Sequence, residues 1–342
     1  MKKKLLISDI AKQLDVSITT VSFILNGKAK EKRISDSLTE KVLKLVEEVN
    51  YKPNQLAQSL RTGKTKTIGL IVEDISNPFF ANIARLIEER AYREGYRIIY
   101  CSTEDNTAKT RELIHMFRDK HVDGYIITPP EGVNEDISEL INEGLPVVLI
   151  DRQIPGLDIN LVVVDNLAGA YNATSHLIGQ GYRKIAFVTT DSRQNQMLQR
   201  LEGYQQALKK VALEPTILEI PYSDEPDAMT ERIKAFLREK KEQVEAIFFS
   251  TNYLAVRGLE AMNDLALAIP ADLGVVSYDD LDVFRLYRPS ITAVAQPTAD
   301  IANHVIDIML NLLMDKTHSA PTNALILPTR LVVRNSSLKQ EQ

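Results

Sequence analysis

The chain has 342 residues, of which 44% are hydrophobic and 25% charged, values of a soluble globular protein too long for one average domain. A single cysteine, Cys101, excludes an intrachain disulfide, and no apolar run reaches membrane-spanning length. The net charge of −5 is unevenly placed: residues 1–64 hold 13 Lys and Arg against 7 Asp and Glu, and the remainder holds 28 against 39. A basic head on an acidic body suits a protein whose head alone touches phosphate. The basic start Met1–Lys4 is followed only by Leu5, Leu6 and Ile7 before Ser8 and Asp9, so no secretory leader is expected and the reading is cytoplasmic.

Two short helices joined by a tight turn are expected between Leu6 and Asn26. Ser8 is placed as the N-cap of the first, whose apolar positions Ile10, Ala11 and Leu14 fall at helical spacing. Asp15–Ser17 forms the turn, with Val16 as the apolar pin and Ser17 as a second N-cap. The second helix is expected to bury Val21 and Leu25 and to leave Ile18, Thr19, Thr20, Ser22 and Phe23 toward its outer, N-terminal side. That end of a recognition helix reads base edges in a helix-turn-helix. After a polar loop, Lys28–Arg33, a third helix over Ser35–Val49 presents Leu38, Val42, Leu45, Val46 and Val49 on one face. Pro53 then stops it, and Asn54–Leu60 reads as a helix of barely two turns. So short a helix is marginal alone in water and is expected to form against a copy of itself or on DNA.

From Thr67 the pattern changes to alternating strands and helices. Strands are expected at Ile68–Val72, Ile98–Cys101, Tyr125–Thr128 and Val147–Asp151, with helices near Phe79–Glu94, Ala108–Lys120 and Glu135–Glu143. A second series has strands at Ile185–Thr189, Leu218–Ile220, Ala246–Ser250 and Val275–Tyr278. Its helices lie near Ala168–Gln180, Gln196–Val211, Pro226–Lys240 and Leu254–Leu265. A last helix, Thr298–Met314, and a strand pair, Ala324–Leu327 and Leu331–Val333, complete the fold. Such alternation means parallel sheets with crossover helices, and two series mean two doubly wound subdomains with a cleft between them. The expected fold is therefore α/β: a small all-α headpiece followed by two parallel-sheet subdomains. Ligands of such sheets sit beyond the carboxyl ends of the strands. There the sequence places Glu73–Asn77, Asp151–Arg152, Thr251–Asn252 and Asp279–Asp280. Cys101, inside the run Ile98–Cys101, reads as a small core residue.

These residues spell a family. Asp9-Ile10-Ala11, Val16-Ser17, Thr20-Val21-Ser22, Leu25-Asn26-Gly27, Tyr51–Asn54, Ser59–Gly63 and Asp74–Phe80 resemble the lactose-repressor (LacI) family of bacterial transcription regulators. Asp123-Gly124, Asp151-Arg152, Gly181–Ile185, Arg200–Tyr204, Ser277–Asp280 and Ala295–Pro297 extend the likeness over essentially the whole chain.

The resemblance implies a homodimer on a pseudo-palindromic DNA operator and an effector domain like the type I periplasmic binding proteins. The corresponding boundaries are 1–52 for the headpiece, 53–66 for a hinge helix and linker, 67–335 for the effector domain, and 336–342 for a tail. The effector domain divides into 67–165 with 296–325, and 166–295 with 326–335. By likeness Ile18, Thr19 and Phe23 read the major groove, while Ser17, Thr20, Ser22 and Asn26 cap the helix or position the DNA backbone. Paired hinge helices carrying Asn54, Ala57 and Leu60 enter the minor groove, with Leu60 as the apolar wedge. The cleft residues implied are Asn77, Phe79, Phe80, Asp151, Arg152, Arg200, Asn252, Asp279 and Gln296, with Gln194 and Gln196 as further selectivity contacts. Carboxylates and planar amide or guanidinium groups bind vicinal hydroxyls, and aromatic rings stack on the apolar face of a sugar.

Three departures from the family pattern stand out. Phe23 replaces the usual arginine, Lys28–Arg33 is longer than usual, and Tyr253 stands where the family often has aspartate. The function expected is a repressor of carbohydrate-utilisation genes controlled by a sugar-like effector, without cofactor or metal. Other effectors open to such a site are a nucleobase, a sugar phosphate or a protein corepressor. An enzyme is disfavoured by the absence of a phosphate loop, GxGxxG, GxSxG or metal-spaced His and Cys; His115, His121, His176, His304 and His318 are scattered. A solute-binding protein for transport is disfavoured by the basic head.

Overall fold

The computed structural model describes residues 6–51, 63–223, 225–314, 322 and 324–339. The chain forms two compact units, Met1–Thr65 and Lys66–Gln342. The hinge residues Asn54, Ala57 and Leu60 lie outside the described residues.

In the first unit, helices α1 (Ile7–Gln13), α2 (Ile18–Leu25) and α3 (Asp36–Glu48) enclose a core of Ile10, Ala11, Val21, Ile24, Val42 and Leu45. Helix α1 begins two residues earlier than an N-cap at Ser8 implies, so Ser8 is not its N-cap. Leu6 occupies that position, and the Asp9 carboxylate accepts its backbone N–H at 2.9 Å. Ser17 does cap α2, its hydroxyl accepting the N–H of Thr20 at 3.0 Å, and Ser35 does the same for α3 from Leu38 at 3.4 Å. The buried residues of α2 are Val21 and Ile24. Leu25, expected in the core, is only half-buried. The long loop after α2 has its own anchor: Ala29 is buried, and its carbonyl accepts the N–H of Ile34 at 2.9 Å.

The second unit is two α/β sandwiches. The first sheet holds β1 (Thr67–Val72), β2 (Arg97–Ser102), β3 (Gly124–Ile127), β4 (Val147–Ile150), β5 (Asn160–Val164) and β11 (Ala324–Leu327) in the order β11-β5-β4-β3-β1-β2, all parallel. Strands β3 and β4 are buried along their whole length, as strands covered on both faces must be. Helices α4 (Pro78–Arg93) and α12 (Thr298–Met314) supply one apolar layer, and α5 (Thr107–Asp119) and α6 (Asn134–Asn142) the other.

The second sheet repeats this plan with β6 (Ile185–Thr190), β7 (Thr216–Ile220), β8 (Ala246–Phe249), β9 (Gly274–Tyr278), β10 (Thr292–Ala295) and β12 (Arg330–Val332), in the order β12-β10-β9-β8-β6-β7. Only β12 runs antiparallel to its neighbour. Helices α7 (Asn166–Gly179) and α8 (Asn195–Lys209) cover one face; α9 (Pro226–Glu239), α10 (Asn252–Asp264) and the short α11 (Asp282–Leu286) cover the other. Helices α7 and α8 approach closely because Gly203 has no side chain: a Cβ there would lie 2.3 Å from the Leu167 carbonyl oxygen.

Strands β5 and β10 and helix α11 were not foreseen. Strands β11 and β12, read as a strand pair that completes the fold, close different sheets. The chain therefore passes between the sandwiches three times, after β5, after β10 and after β11. Three crossings tie the two sandwiches together. Among the described residues, no helix is long and apolar enough to cross a membrane.

Candidate functional site

In both sheets the strand order reverses beside the first strand, at β1/β3 and at β6/β8, and the crevice at such a switch point lies beyond the strand carboxyl ends. The loops at those ends enclose a cavity of about 510 Å³, counted out to its mouth. Of the eleven cleft residues expected from the sequence, Asn77, Phe79, Phe80, Asp151, Arg152, Gln196, Arg200, Asp279 and Gln296 line it. The structure does not bring Gln194 and Asn252 into the lining. They sit one layer behind, where each joins the two sandwiches: Asn252 Nδ2 donates to Asn77 Oδ1 at 2.9 Å, and Gln194 Nε2 donates to Asp105 Oδ1 at 3.3 Å.

Asp151 and Asp279 are equivalent in the two halves. Each follows a buried strand, β4 or β9, and each has φ +66°, the left-handed region that aspartate tolerates better than most residues. Strain of this kind aims the carboxylate into the crevice rather than back along the sheet. Arg200 of α8 acts electrostatically on both aspartates; it is 4% exposed and donates through Nε to Asn166 Oδ1 at 2.9 Å and through a terminal nitrogen to the Ser250 carbonyl at 2.8 Å. Its guanidinium carbon sits 3.7 Å from the centroid of the Tyr278 ring. Gln296 Nε2 donates to Asp279 at 2.6 Å, and Arg334 grips the adjacent Asp280 with two hydrogen bonds of 2.8 and 2.7 Å.

Burial pushes the Asp151 carboxyl up to about 6; Arg200 pulls it down, and the neighbouring Asp279 and Asp105 charges add to the rise. Burial raises Asp279 as well, against the pull of Arg200, Gln296 and the Asn252 backbone N–H. A cleft that holds two such acids gains from any ligand that brings donors to them.

Sequence reasoning named Glu73 and Thr251 only within polar clusters at strand ends, and it did not single out Asp105, Thr190, Ser192, Met197, Tyr222 or Tyr253 as lining residues. Glu73 and Asp105 clasp Arg152, which is 4% exposed; Asp105 accepts from it at 2.5 Å, and Glu73 pairs with its other terminal nitrogen. Burial pushes Arg152 down to about 10 and Asp105 up to about 6, while their direct bond favours the charged forms of both. From the opposite sandwich Tyr222 donates its hydroxyl to Glu73 at 3.0 Å. These residues follow β1, β2 and β7, so the rule that pointed to Asp151 also covers them. Nothing in their local sequence separates them from solvated loop residues.

A second surface lies on the first unit. Ser17, Thr19 and Asn26 are exposed on α2 and its caps, Ile18 is 50% exposed, and Thr20, Ser22 and Phe23 are half-buried. Asn26 is held in place by donation to the Ser22 carbonyl at 2.6 Å, and the Lys32 ammonium lies 5.4 Å from the centroid of Phe23. The surface thus combines hydroxyls and amides suited to phosphate with an apolar pair suited to a thymine methyl.

Elsewhere the chemistry is structural. His176 Nε2 lies 2.8 Å from the Ser337 hydroxyl, and burial holds its pKa down. Cys101 is half-buried against the second apolar layer of the first sheet, with its thiol pushed up by burial. Among the described residues, no group of three His, Cys, Asp or Glu side chains could hold a metal ion.

Comparison with known proteins matches segments of both units. Residues 6–54 match the model of the bacterial regulatory proteins of the lacI family, and residues 174–337 match a periplasmic binding protein-like domain. The chain is 30% identical over 334 residues to the HTH-type transcriptional repressor PurR of Photobacterium profundum, covering 96% of this chain and 98% of that one. It is 31% identical over 332 residues to the ribose operon repressor of Haemophilus influenzae, covering 96% and 97%. Its fold matches the crystal structure of the lac repressor dimer bound to operator and the anti-inducer ONPF with a TM-score of 0.85, at 23% identity over 98% of this chain and 100% of that one. The chain belongs to the lacI family of bacterial regulatory proteins, and is a DNA-binding transcriptional regulator.

Proposed function

We propose that this regulator represses carbohydrate-utilisation genes as a homodimer on a pseudo-palindromic operator, and that a sugar-like effector in the cleft sets its affinity for DNA. The observation that carries the reading is the convergence at one cavity of Asp151, Arg200 and Asp279 with the rings of Phe79 and Phe80, which pack edge to face at 5.0 Å. Paired carboxylates and a guanidinium suit vicinal hydroxyls, and the rings suit the C–H face of a pyranose or furanose. The named relatives are repressors, one of them of a ribose operon, which supports a regulator rather than an enzyme and an address where DNA is, the cytoplasm.

The mechanism is a population shift. Arg200 bonds Asn166, the first residue after the first crossing between the sandwiches, so a ligand that engages Arg200 acts directly on the joint. Stabilising one angle between the halves changes how two hinge segments, Asn54–Leu60 of each protomer, are presented to the minor groove. Effector and operator affinities are then coupled reciprocally.

A nucleobase effector is the second reading, favoured by Tyr222 and Tyr253, which add two more rings to the lining. A thermal-shift screen against neutral sugars, sugar acids, sugar phosphates and purines separates the two. A ligand at a hundredfold its dissociation constant stabilises the fold by about 2.7 kcal/mol. A sugar hit lost in both Arg200→Ala and Asp279→Ala supports the proposal; a purine hit alone replaces it with the second reading.

A further inference from the structure

The charges that face the cleft are uneven. Four carboxylates line it, Glu73, Asp105, Asp151 and Asp279, against two guanidiniums, Arg152 and Arg200, and among the described residues no lysine or histidine joins them. Both guanidiniums are already engaged by the protein. Arg152 is clasped between Glu73 and Asp105, and Arg200 is bonded to Asn166 and the Ser250 carbonyl with its face on Tyr278. A phosphate or carboxylate entering this space would find Arg152 already neutralised by two carboxylates, and Arg200, which bonds only neutral groups, sharing its charge with Asp151 and Asp279.

Three helix starts oppose that negative field, at Asn77 for α4, Gln194 for α8 and Thr251 for α10. Each supplies about half a positive charge. Two of them are capped from within, Asn77 accepting from the Phe79 N–H at 3.1 Å and Thr251 from the Leu254 N–H at 3.4 Å. Helix starts and side chains together bring the field close to neutral. That balance suits a ligand without charge and disfavours a dianion.

Resting on the sugar reading above, we infer that the effector is an uncharged polyol and that the cleft rejects the same molecule once it carries a phosphate or carboxylate group. The rejection is built by Glu73 and Asp105, which hold Arg152 in an ion triad and so deny it to an incoming anion. Tyr222 and Gln194 reach across from the other sandwich to the same two carboxylates, so the triad is fixed from both sides of the cleft.

The test is calorimetric titration of the full-length protein with matched pairs: ribose and ribose 5-phosphate, glucose with glucose 6-phosphate and with glucuronate. A neutral member should bind, and its anionic partner should bind on the order of a hundredfold more weakly, because the anion gives up its hydration in the cleft without gaining an unpaired opposite charge. In a Glu73→Gln, Asp105→Asn double variant the gap should shrink at least tenfold, because Arg152 is released. An anionic member that binds as well as its neutral partner overturns the inference and leaves the sugar reading standing. A gap unchanged in a double variant that still unfolds cooperatively overturns the role given to Glu73 and Asp105. If no sugar of either kind binds, the sugar reading falls and this inference with it. The wild-type pairs decide the matter even where the variant does not fold.

Discussion

Replacing Arg200 by methionine keeps an unbranched chain over the Tyr278 ring but removes the charge that acts on Asp151 and Asp279. Two losses follow. The Asn166 amide oxygen and the Ser250 carbonyl lose their donor, costing about 1–3 kcal/mol for a buried polar group left unpaired. The second loss depends on pH. Asp151 already titrates near 6, above its unfolded value, so its contribution to stability is full below about pH 4 and is lost as pH rises through 6. Without the guanidinium its pKa rises further. A rise of one to two pH units, the usual effect of removing a neighbouring opposite charge, costs about 1.4–2.8 kcal/mol once the pH exceeds the new value.

Arg200→Met should therefore destabilise the protein by about 1–3 kcal/mol at pH 5 and by about 2–6 kcal/mol at pH 8. Urea unfolding at the two pH values measures the difference directly, with the parent protein as reference at each. An equal loss at both would show that Arg200 does not neutralise the cleft acids. The electrostatic part of the argument would then be wrong even if the variant were unstable.

The other expectations concern separate parts of the molecule. Effector affinity should fall about tenfold per pH unit below pH 6, because protonated Asp151 loses its accepting capacity; calorimetry at pH 5, 6 and 7.5 checks this, and a flat profile counts against Asp151 as an acceptor. Gly258→Ala would put a Cβ 2.0 Å from the buried Phe249 ring, an overpacking that costs about 1–3 kcal/mol and should lower the melting temperature by several degrees. Ser17→Ala removes the cap of α2 and should cost the headpiece about 1 kcal/mol, seen as faster amide exchange in α2 and weaker operator binding. Phe23→Arg should move the base preference toward guanine in selection from random DNA, whereas an unchanged site would place Phe23 away from the bases.

How much could be read in advance follows from how locally each feature is encoded. Strand β1 and helix α4 stand out because Ile68–Val72 is a continuous apolar run and Asn77-Pro78 is a cap followed by an N1 proline. Strands β5 and β10 are short apolar runs, Leu161–Val164 and Thr292–Ala295, bounded by loops, and their length gives no periodicity to read. Where β11 and β12 go is not a local property at all. Two residues separate them, yet one adds to β5 and the other to β10, since each fills the open edge of a different sheet.

The cleft divides in the same way. Asp151, Arg200 and Asp279 were visible through strand-end placement joined to the family likeness. Glu73 and Asp105 stood in plain sight after β1 and β2, but only the fold brings both to Arg152. Tyr222 enters the lining from a loop whose sequence resembles any solvated turn, and Tyr253 from the first turn of α10. In the headpiece the cap on Ser17 was legible, Ser35 was read as the first residue of its helix rather than as its cap, and the start of α1 shifted because Asp9 can reach back to Leu6.

The central claim is that a molecule in the cleft controls the grip of the head on DNA. The most direct measurement is the affinity of the full-length protein for an operator selected from random DNA, by fluorescence anisotropy, with and without a saturating sugar found in the screen. The account predicts a change of at least tenfold with the sugar in the wild-type protein. Asp279→Ala should bind the operator normally and show no change on adding sugar. Operator affinity that stays constant while the sugar demonstrably occupies the wild-type cleft would contradict the account.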